Sequence, residues 1–311
     1  MRLAQSIIVL VAGLSVFTLC SFPQSPTPTQ DGQQAVIAPN PSPSAEQIQS
    51  LMVRAAANQH HDDRAIEEFE RVEHSVSRKV SGGMEVVTDT TERLLSSGTG
   101  IMHLQVKENG TPVPPEVYRR QLENAVTALE LANHPNERYR EDLAKFEKRR
   151  KDRAELVDEG FKAFRFTWAG RETRKGRTLA KFLMAPDPKY KPINRISAIF
   201  EHVRGAVWID EPAAQMARIE VDVASDISFG GGILGKIYHG GHFVMEQSEI
   251  TPDTWLPTLY SYDMEGRKFL FSFSLHEHTD VTGYRRIGPP SQSIEVIRDE
   301  LNKLSARNSI D

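Results

Sequence analysis

Histidines are the residues of this chain whose spacing most resembles a metal site. His276 and His278 are two apart, His239 and His242 are three apart, and residues 60–63 read His-His-Asp-Asp. Two histidines at i and i+2 of a strand share a face, and imidazole binds zinc, copper or nickel. No carboxylate completes a spacing such as H-E-x-x-H. The pattern therefore favours surface histidines, and we predict no metal and no cofactor.

A glycine-rich segment at residues 230–237 reads GGGILGKI and matches the G-x-x-x-x-G-K part of a phosphate-binding loop. That loop requires Ser or Thr next, to hold magnesium, and then opens a helix. Here Ile237 takes the position, and Tyr238 with Gly240 and Gly241 does not favour a helix. We expect a flexible hairpin loop and no nucleotide.

Nucleophilic hydrolysis lacks its usual local signatures. The chain has no G-x-S-x-G elbow and no S-x-x-K, and its single cysteine, Cys20, stands at the end of the N-terminal apolar segment. Carboxylate pairs for sugar chemistry depend on separation in space and stay open. We predict that the protein is not an enzyme; an exported hydrolase or metalloprotein is the weakest hypothesis.

Composition narrows the class further. The 311 residues carry 38 basic and 42 acidic side chains, a net charge of −4, which gives no basic field for nucleic acid. A hydrophobic content of 39% is enough for a core. We expect a folded protein without a nucleic-acid partner.

The N-terminus is typical of an exported protein. Arg2 precedes the apolar run Ile7–Leu19, which is short for a membrane span, so residues 1–20 are predicted to be an export signal or an anchor. Cys20 leaves lipidation open. Residues 21–44 are rich in proline and are predicted to form a disordered tether. We expect a location in the periplasm or cell envelope, with membrane tethering as an open alternative.

The region from Phe161 to Ile287 alternates apolar and polar residues between turn signals, which predicts an antiparallel sheet. On its strands Phe164, Phe166 and Trp168 share one face. A later strand is predicted to place Phe269, Phe271, Phe273 and Leu275 on one face and Ser272, Ser274, His276 and His278 on the other. Pro257 predicts an edge or bulged strand over residues 255–262, and residues 283–287 are expected to form a last strand.

Helical spacing predicts three further segments. Residues 45–72 are predicted to be helical with Ser44 as N-cap, residues 116–159 to form a charged helical hairpin broken at His134-Pro135, and residues 288–311 to hold a C-terminal helix. A meander of strands lies between the first two, from Val72 to Val106. The charged run at residues 148–153 is expected to be a solvated face paired with neighbouring acids.

Large aromatic residues are the remaining candidates for a site. They either line a cavity for an acyl chain or other lipid inside a curved sheet, or form an ordinary core under the helices. The candidates are Phe164, Phe166, Trp168, Phe182, Trp208, Phe243, Trp255, Phe269, Phe271 and Phe273.

Two segments carry a family resemblance: GAVWIDEPAAQMARIEV, residues 205–221, and EITPDTWLPTLYSYDMEGRKFLFSF, residues 249–273. They resemble the LolA-like superfamily of periplasmic lipoprotein-sorting carriers, in an uncharacterised exported branch. The resemblance implies an α+β fold, with a curved antiparallel sheet as a half-open β-barrel, covering helices and a hydrophobic cavity. The LolA-like domain would span residues 45–287, with the hairpin at 116–159 as an insert that the carriers lack.

Two functions follow from these observations. The first is an exported envelope protein that binds a lipid or a lipoprotein acyl chain non-covalently in the half-barrel cavity. The alternative is an envelope interaction or regulatory scaffold that docks a protein partner through the hairpin at residues 116–159. We expect a lipid, an acylated lipoprotein or an envelope protein as partner, and neither nucleic acid nor nucleotide.

Overall fold

The computed structural model describes residues 42–81, 83–269 and 271–307. The predicted export signal, Cys20 and most of the predicted tether lie outside the described residues. Within them, no helix is both long enough and apolar enough to cross a membrane.

Four α-helices and thirteen strands follow one another along the described residues. The helices are α1 (Ala45–Ala65), α2 (Pro115–Asn133), α3 (Glu137–Ala163) and α4 (Pro290–Arg307), with 3₁₀ turns at Ile66–Glu68 and Ser197–His202. The strands are β1 (Phe69–Ser81), β2 (Met84–Ser96), β3 (Ile101–Glu108), β4 (Thr111–Pro112), β5 (Phe164–Arg174), β6 (Arg177–Pro186), β7 (Val203–Asp210), β8 (Gln215–Val223), β9 (Ile227–Phe229), β10 (Gly235–Ile237), β11 (His242–Thr251), β12 (Thr254–Lys268) and β13 (Phe271–Arg286).

All thirteen strands belong to one sheet. Its order is β4-β3-β2-β1-β13-β12-β11-β8-β7-β6-β5, with β10 pairing both β12 and β9 beside this path. The path runs from β4 to β5, so the sheet is open, and neighbours such as β6, β7 and β8 pair antiparallel. The predicted fold class, α+β with an unclosed antiparallel sheet and accompanying helices, is confirmed.

Helix α1 begins as predicted and ends earlier. The Gln47 amide donates to Ser44 Oγ (3.2 Å) while the Ser44 amide donates to Gln47 Oε1 (2.8 Å), a reciprocal cap. The prediction of helix as far as Val72 is wrong, because β1 begins at Phe69. Pairing with β13 is the reason: the Ile287 amide donates to the Glu68 carbonyl (2.9 Å), and non-local pairing overrides helical spacing.

The predicted helical hairpin is present as α2 and α3, separated at residues 134–136. Charged side chains on α3 pair with one another as the sequence predicts. Lys148 Nζ lies 2.9 Å from Asp152 Oδ2, and Arg150 Nη2 lies 2.8 Å from Glu147 Oε2. These are exposed pairs one helical turn apart, so they describe a solvated helix face.

Two strand predictions need correction, and a third is confirmed in one of its two forms. Residues 255–262 form a bulged strand and not an edge strand, because β12 lies between β11 and β13. Pro257, which has no N–H to donate, stands at a register shift opposite Gln247. Residues 283–287 are not a separate strand, since β13 is continuous from residue 271 to 286. Phe269 is not on a strand: its φ of 55° places it in the turn before β13.

The chain forms two compact units. The first contains the described residues up to His60 with residues 77–87 and 155–278, and the second contains residues 61–76, 88–154 and 279 onward. In the second unit the core holds Leu122 and Leu129 of α2, Ile294 and Ile297 of α4, and Leu104 of β3. The first unit holds α1 and the strands from β5 to β12, and its sheet carries the candidate site.

Candidate functional site

One face of the first unit's sheet is apolar across six strands. Two rows of directly opposed residues lie on it, and we call it the apolar face. The first row is Trp168, Phe182, Val207, Ile219, Met245 and Tyr260, on β5, β6, β7, β8, β11 and β12. The second row contains, on each of these strands, the residue two positions away from the first row. Its members are Phe166, Met184, Gly205, Val221, Phe243 and Tyr262.

Helix α1 covers one end of the apolar face. Leu51, Met52 and Ala55 of α1 form a buried cluster with Phe182 and Val207, among others of β6 and β7. Phe182 is 0% exposed and Val207 is 2% exposed, so this end is a filled core. The spacing of the three helix residues places them on one side of α1, which explains why the helix packs here.

The other end of the first row is only half-buried. Ile219, Met245 and Tyr260 are each of intermediate exposure, although they stand in line with the fully buried pair on β6 and β7. Among the described residues, none of the three belongs to a buried hydrophobic cluster. We call these three residues the open strip.

Aromatic stacking rigidifies the sheet beside the open strip. Phe243 and Tyr262 are directly opposed on β11 and β12, and their rings stack with centroids 5.2 Å apart. Both are nearly buried, at 8% and 5% exposure. Such a pair contributes beyond its buried area and fixes the neighbouring strand positions.

The opposite face of the same strands carries charges around Trp208. This indole is 1% exposed, and its Nε1 donates to Glu172 Oε2 at 2.8 Å. Lys181 Nζ lies 4.7 Å from the ring centroid, and the guanidinium carbons of Arg174 and Arg218 lie 4.8 and 5.7 Å from it. Cations over an indole face are attracted by its quadrupole.

Acidic side chains balance those cations. Glu172 Oε1 accepts from Lys181 Nζ (2.8 Å), and Glu246 accepts from Lys175 Nζ (2.7 Å) and from Arg218. Burial raises the pKa of Glu246, but the hydrogen bond and charge of Lys175 and the charge of Arg218 outweigh it and leave that pKa lowered. This face is a balanced charge network, so a hydrophobic ligand is not expected there.

The structure brings four of the predicted cavity residues together. Phe166, Trp168, Phe182 and Phe243 all lie in the two rows of the apolar face. Phe164 lies further along β5, where its ring contacts that of Phe200 with centroids 5.6 Å apart.

The other five predicted residues lie elsewhere. Trp208 and Trp255 share a buried cluster on the charged face, and Phe273 lies beside Gly266 of β12. Phe269 and Phe271 are 52% and 65% exposed near the β12–β13 turn. The ten aromatic residues therefore do not line one common space.

The three residues of the open strip were not among the predicted ones. Ile219 belongs to an alternation that identifies β8 as half-buried, and Tyr260 alternates with Tyr262. A search restricted to Phe and Trp misses them, and the alternation alone would have included them. Which part of the face α1 leaves open is a tertiary property that no local spacing shows.

Several of the histidines that the sequence singles out in this unit contact a carboxylate. His242 Nδ1 lies 2.7 Å from Asp222 Oδ1, and His276 Nδ1 lies 3.0 Å from Asp263 Oδ1. Within residues 42–81, 83–269 and 271–307, no group of three or more His, Cys, Asp or Glu could hold a metal ion.

The glycine-rich segment forms a hairpin loop between two short strands. Lys236, which occupies the lysine position of the phosphate-loop pattern, lies in β10 with its Nζ 2.7 Å from Asp226 Oδ2. A phosphate loop requires a helix at this point. The local geometry therefore does not form a nucleotide site.

Comparisons with known proteins find likeness at the level of fold. No family model matches the chain, and no curated protein matches it. A domain from Vibrio parahaemolyticus described as outer membrane lipoprotein-sorting is 11% identical, with 75% of this chain and 92% of that one covered and a TM-score of 0.25. A LolA superfamily protein from Nitrosomonas europaea is 9% identical, with 76% and 92% covered and a TM-score of 0.26.

A third solved structure, the MucA/MucB complex of Pseudomonas aeruginosa, is 7% identical, with 78% of this chain and 99% of that one covered and a TM-score of 0.20. A LolA superfamily protein is among the solved structures to which the chain is similar. At these identities and TM-scores the likeness assigns no function to this chain.

Proposed function

We propose that this chain is an exported envelope protein that binds a hydrophobic ligand, a lipid or a lipoprotein acyl chain, non-covalently along the open strip. One observation carries the proposal. Ile219, Met245 and Tyr260 remain half-buried in a row in which Phe182 and Val207 are buried under α1 and Trp168 packs against the same cluster. A ligand laid along the strip would continue the packing that α1 begins.

The chemistry of the strip suits an acyl chain. The two rows of the apolar face contain no charged side chain, and the thioether of Met245 adapts its shape to irregular apolar partners. Burying one methylene contributes about 0.8 kcal/mol, so ten methylenes contribute on the order of 8 kcal/mol before the cost of ordering the chain is subtracted. Micromolar binding needs about that much free energy.

Binding by burial requires no covalent step. We assign no catalytic role to any residue, because titratable side chains near the strip lie on the other face of the sheet in paired networks. Export of the chain is inferred from residues 1–20, and a tether at residues 21–44 would hold the binding unit near a membrane.

Native mass spectrometry with lipid extraction tests this function. The full-length chain is purified after export to a bacterial periplasm, released gently and weighed, and its extract is analysed for lipid. We expect lipid in a defined molar ratio. A mass without lipid that stays unchanged after incubation with phospholipid and with acylated peptide contradicts the proposal.

The docking alternative has its own readout in the same preparation. If the chain carries no lipid yet retains an envelope protein, charge reversal on the exposed face of α3, Lys148→Glu with Arg149→Glu, should release that protein, and the core residues of α2 stay in place. Such a result favours the scaffold function. The open strip would then be part of the packing of the sheet and not a binding site.

A further inference from the structure

Four large apolar side chains are exposed close together in the first unit. Ile233 is 76% exposed and Leu234 45%, both in the β9–β10 loop, while Phe269 and Phe271 at the β12–β13 turn are 52% and 65% exposed. We call these four residues the apolar tip. Four neighbouring large side chains exposed to this extent form a patch of the kind that is often functional in a monomeric protein.

Strand pairing brings the two parts of the tip together. β10 pairs with β12, with Gly235 opposite Lys268, and the Phe269 amide donates to the Leu234 carbonyl at 3.3 Å. Arg267 adds a side-chain contact, since its Nη2 donates to the Gly232 carbonyl at 3.1 Å. The apolar tip is therefore one surface and not two separate loops.

The β9–β10 loop is held in one conformation by its own hydrogen bonds. The Gly232 and Leu234 amides donate to the Phe229 carbonyl at 3.1 and 3.2 Å. Gly230, Gly231 and Gly232 all have positive φ, and a Cβ on Gly230 would lie 2.6 Å from Leu234 Cγ. The three glycines thus permit a tight loop that presents Ile233 and Leu234 outward.

Basic side chains stand at the base of the tip. Lys268 is exposed at the end of β12, and Arg267 precedes it. Burial lowers the pKa of Lys79 on β1, and the charge of Lys268 lowers it further. Lys236 is nearby on β10, with its charge offset by Asp226.

We propose that the apolar tip inserts into the interface of an anionic phospholipid bilayer, with Lys268 facing the lipid headgroups. Apolar side chains flanked by lysine and arginine are the combination that binds peripheral proteins to anionic membranes. This surface is separate from the open strip, and the inference does not rest on the proposed function.

The size of the tip favours a bilayer over a second copy of the chain. Four side chains at these exposures present roughly 400 Å² of apolar surface, since a whole aromatic side chain presents about 150–250 Å². A stable protein interface buries about 800 Å² on each partner. Insertion into a lipid interface has no such area requirement.

The test uses a fluorescent label placed on the tip of the full-length chain. With Cys20→Ala as background, Ile233→Cys is labelled with an environment-sensitive dye and mixed with vesicles of phosphatidylethanolamine and phosphatidylglycerol. The matched control is Ile193→Cys, an isoleucine 62% exposed in the same unit but outside the tip. Because both labelled variants contain residues 1–41, any membrane attachment through those residues affects the two labels alike.

We expect a blue shift and protection from an aqueous quencher at position 233 and a water-like signal at position 193. The vesicle concentration for half of the shift should rise about fivefold for Lys268→Glu and at least tenfold with phosphatidylcholine vesicles. Met245→Glu, on the open strip, should leave the shift at position 233 unchanged. Loss of lipid bound along the strip is therefore distinguishable from loss of membrane insertion by the tip, because only the second abolishes the shift at position 233.

Three results would overturn the inference. The first is a water-like signal at position 233 with saturating anionic vesicles, and the second is an equal shift at position 193. The third is a shift at position 233 that depends on protein concentration and not on lipid, which would assign the tip to contact between copies.

Discussion

Trp208 Nε1 donates a 2.8 Å hydrogen bond to Glu172 Oε2 on the charged face of the first unit's sheet. Glu172 also accepts from Lys181 Nζ (2.8 Å) and Arg174 Nε (3.2 Å), whose cationic groups lie within 5 Å of the indole centroid. One carboxylate thus satisfies a buried indole N–H and two cations. Removing it would leave each of them without that acceptor.

We expect Glu172→Gln to lower the free energy of unfolding by about 1–3 kcal/mol, because hydrogen bonds to a charged acceptor are lost near a buried indole. Chemical denaturation followed by tryptophan fluorescence measures the loss. The control is Glu201→Gln, an exposed glutamate on the 3₁₀ turn before β7, which should change stability by less than about 0.5 kcal/mol. Equal effects of the two substitutions would contradict the assigned role.

The same variant should alter the pH dependence of stability. Burial raises the pKa of Glu172, but the hydrogen bonds from Lys181 and Trp208 outweigh it and leave that pKa below its ordinary value of 4.5. A lowered folded pKa gives stability that is present above the ordinary value and is lost as pH falls through the folded pKa. The difference between wild type and Glu172→Gln should therefore shrink as pH falls below about 4.5.

A buried ion network in the second unit leads to a different prediction. Arg93 is 7% exposed; its Nε donates to Glu70 Oε2 at 2.8 Å, and its Nη1 donates to Tyr118 Oη at 3.1 Å and to Glu300. We expect Arg93→Met to cost about 2–3 kcal/mol, because the buried carboxylate of Glu70 loses its hydrogen bonds from Arg93 and keeps the pair with Arg285. Arg93→Met with Glu70→Leu should cost less than Arg93→Met alone.

Denaturation midpoints of the two single variants and the double variant form the required cycle. Arg119→Met is the control: Arg119 forms an exposed pair with Glu123 one helical turn away, at 3.1 Å, and its substitution should cost less than about 1 kcal/mol. Strict additivity of Arg93→Met and Glu70→Leu would show that the two side chains do not act together.

Local signals in the sequence account for much of the fold. The His134-Pro135 break and helical spacing predict the hairpin, and Ser44 with Gln47 forms the predicted cap at the start of α1. The errors occur where distant strands decide the outcome. Residues 66–72 follow helical spacing, yet pairing of β1 with β13 makes Phe69 the start of a strand.

The site is less predictable than the fold because it depends on which part of the apolar face α1 covers. Alternation identifies residues such as Phe182 and Ile219 as apolar-facing, but it does not show that α1 covers the first and leaves the second half-exposed. Alternation also placed Phe269 on the strand with Phe271. Its positive φ belongs to the turn between β12 and β13, and alternation of apolar and polar residues does not show where a strand gives way to a turn.

Gly205 gives a sharp stability prediction. A Cβ at this position would lie 1.9 Å from the Glu220 carbonyl oxygen of the neighbouring strand, so Gly205→Ala must displace backbone. We expect a loss of at least about 1–3 kcal/mol, the range typical of overpacking. The control is Gly100→Ala, where a Cβ would meet nothing within 4 Å, and thermal unfolding of the two variants should separate them clearly.

The decisive prediction concerns ligand retention on the open strip. Met245→Glu places a carboxylate in the middle of the strip, where a bound acyl chain would have to desolvate it, so we expect at least a tenfold loss of co-purified lipid. Leu183→Glu is the matched control, because Leu183 is 50% exposed and lies on the opposite face of β6 from Phe182. Its lipid content should equal that of wild type.

Circular dichroism and thermal unfolding of both variants make the comparison interpretable. Met245 is half-buried, so its substitution should shift the midpoint by only a few degrees and preserve the fold. Equal lipid retention by wild type, Met245→Glu and Leu183→Glu, with all three folded, would remove the strip as the binding site. Loss of lipid in Met245→Glu alone would place the acyl chain beside Ile219 and Tyr260, where α1 ends its cover of the apolar face.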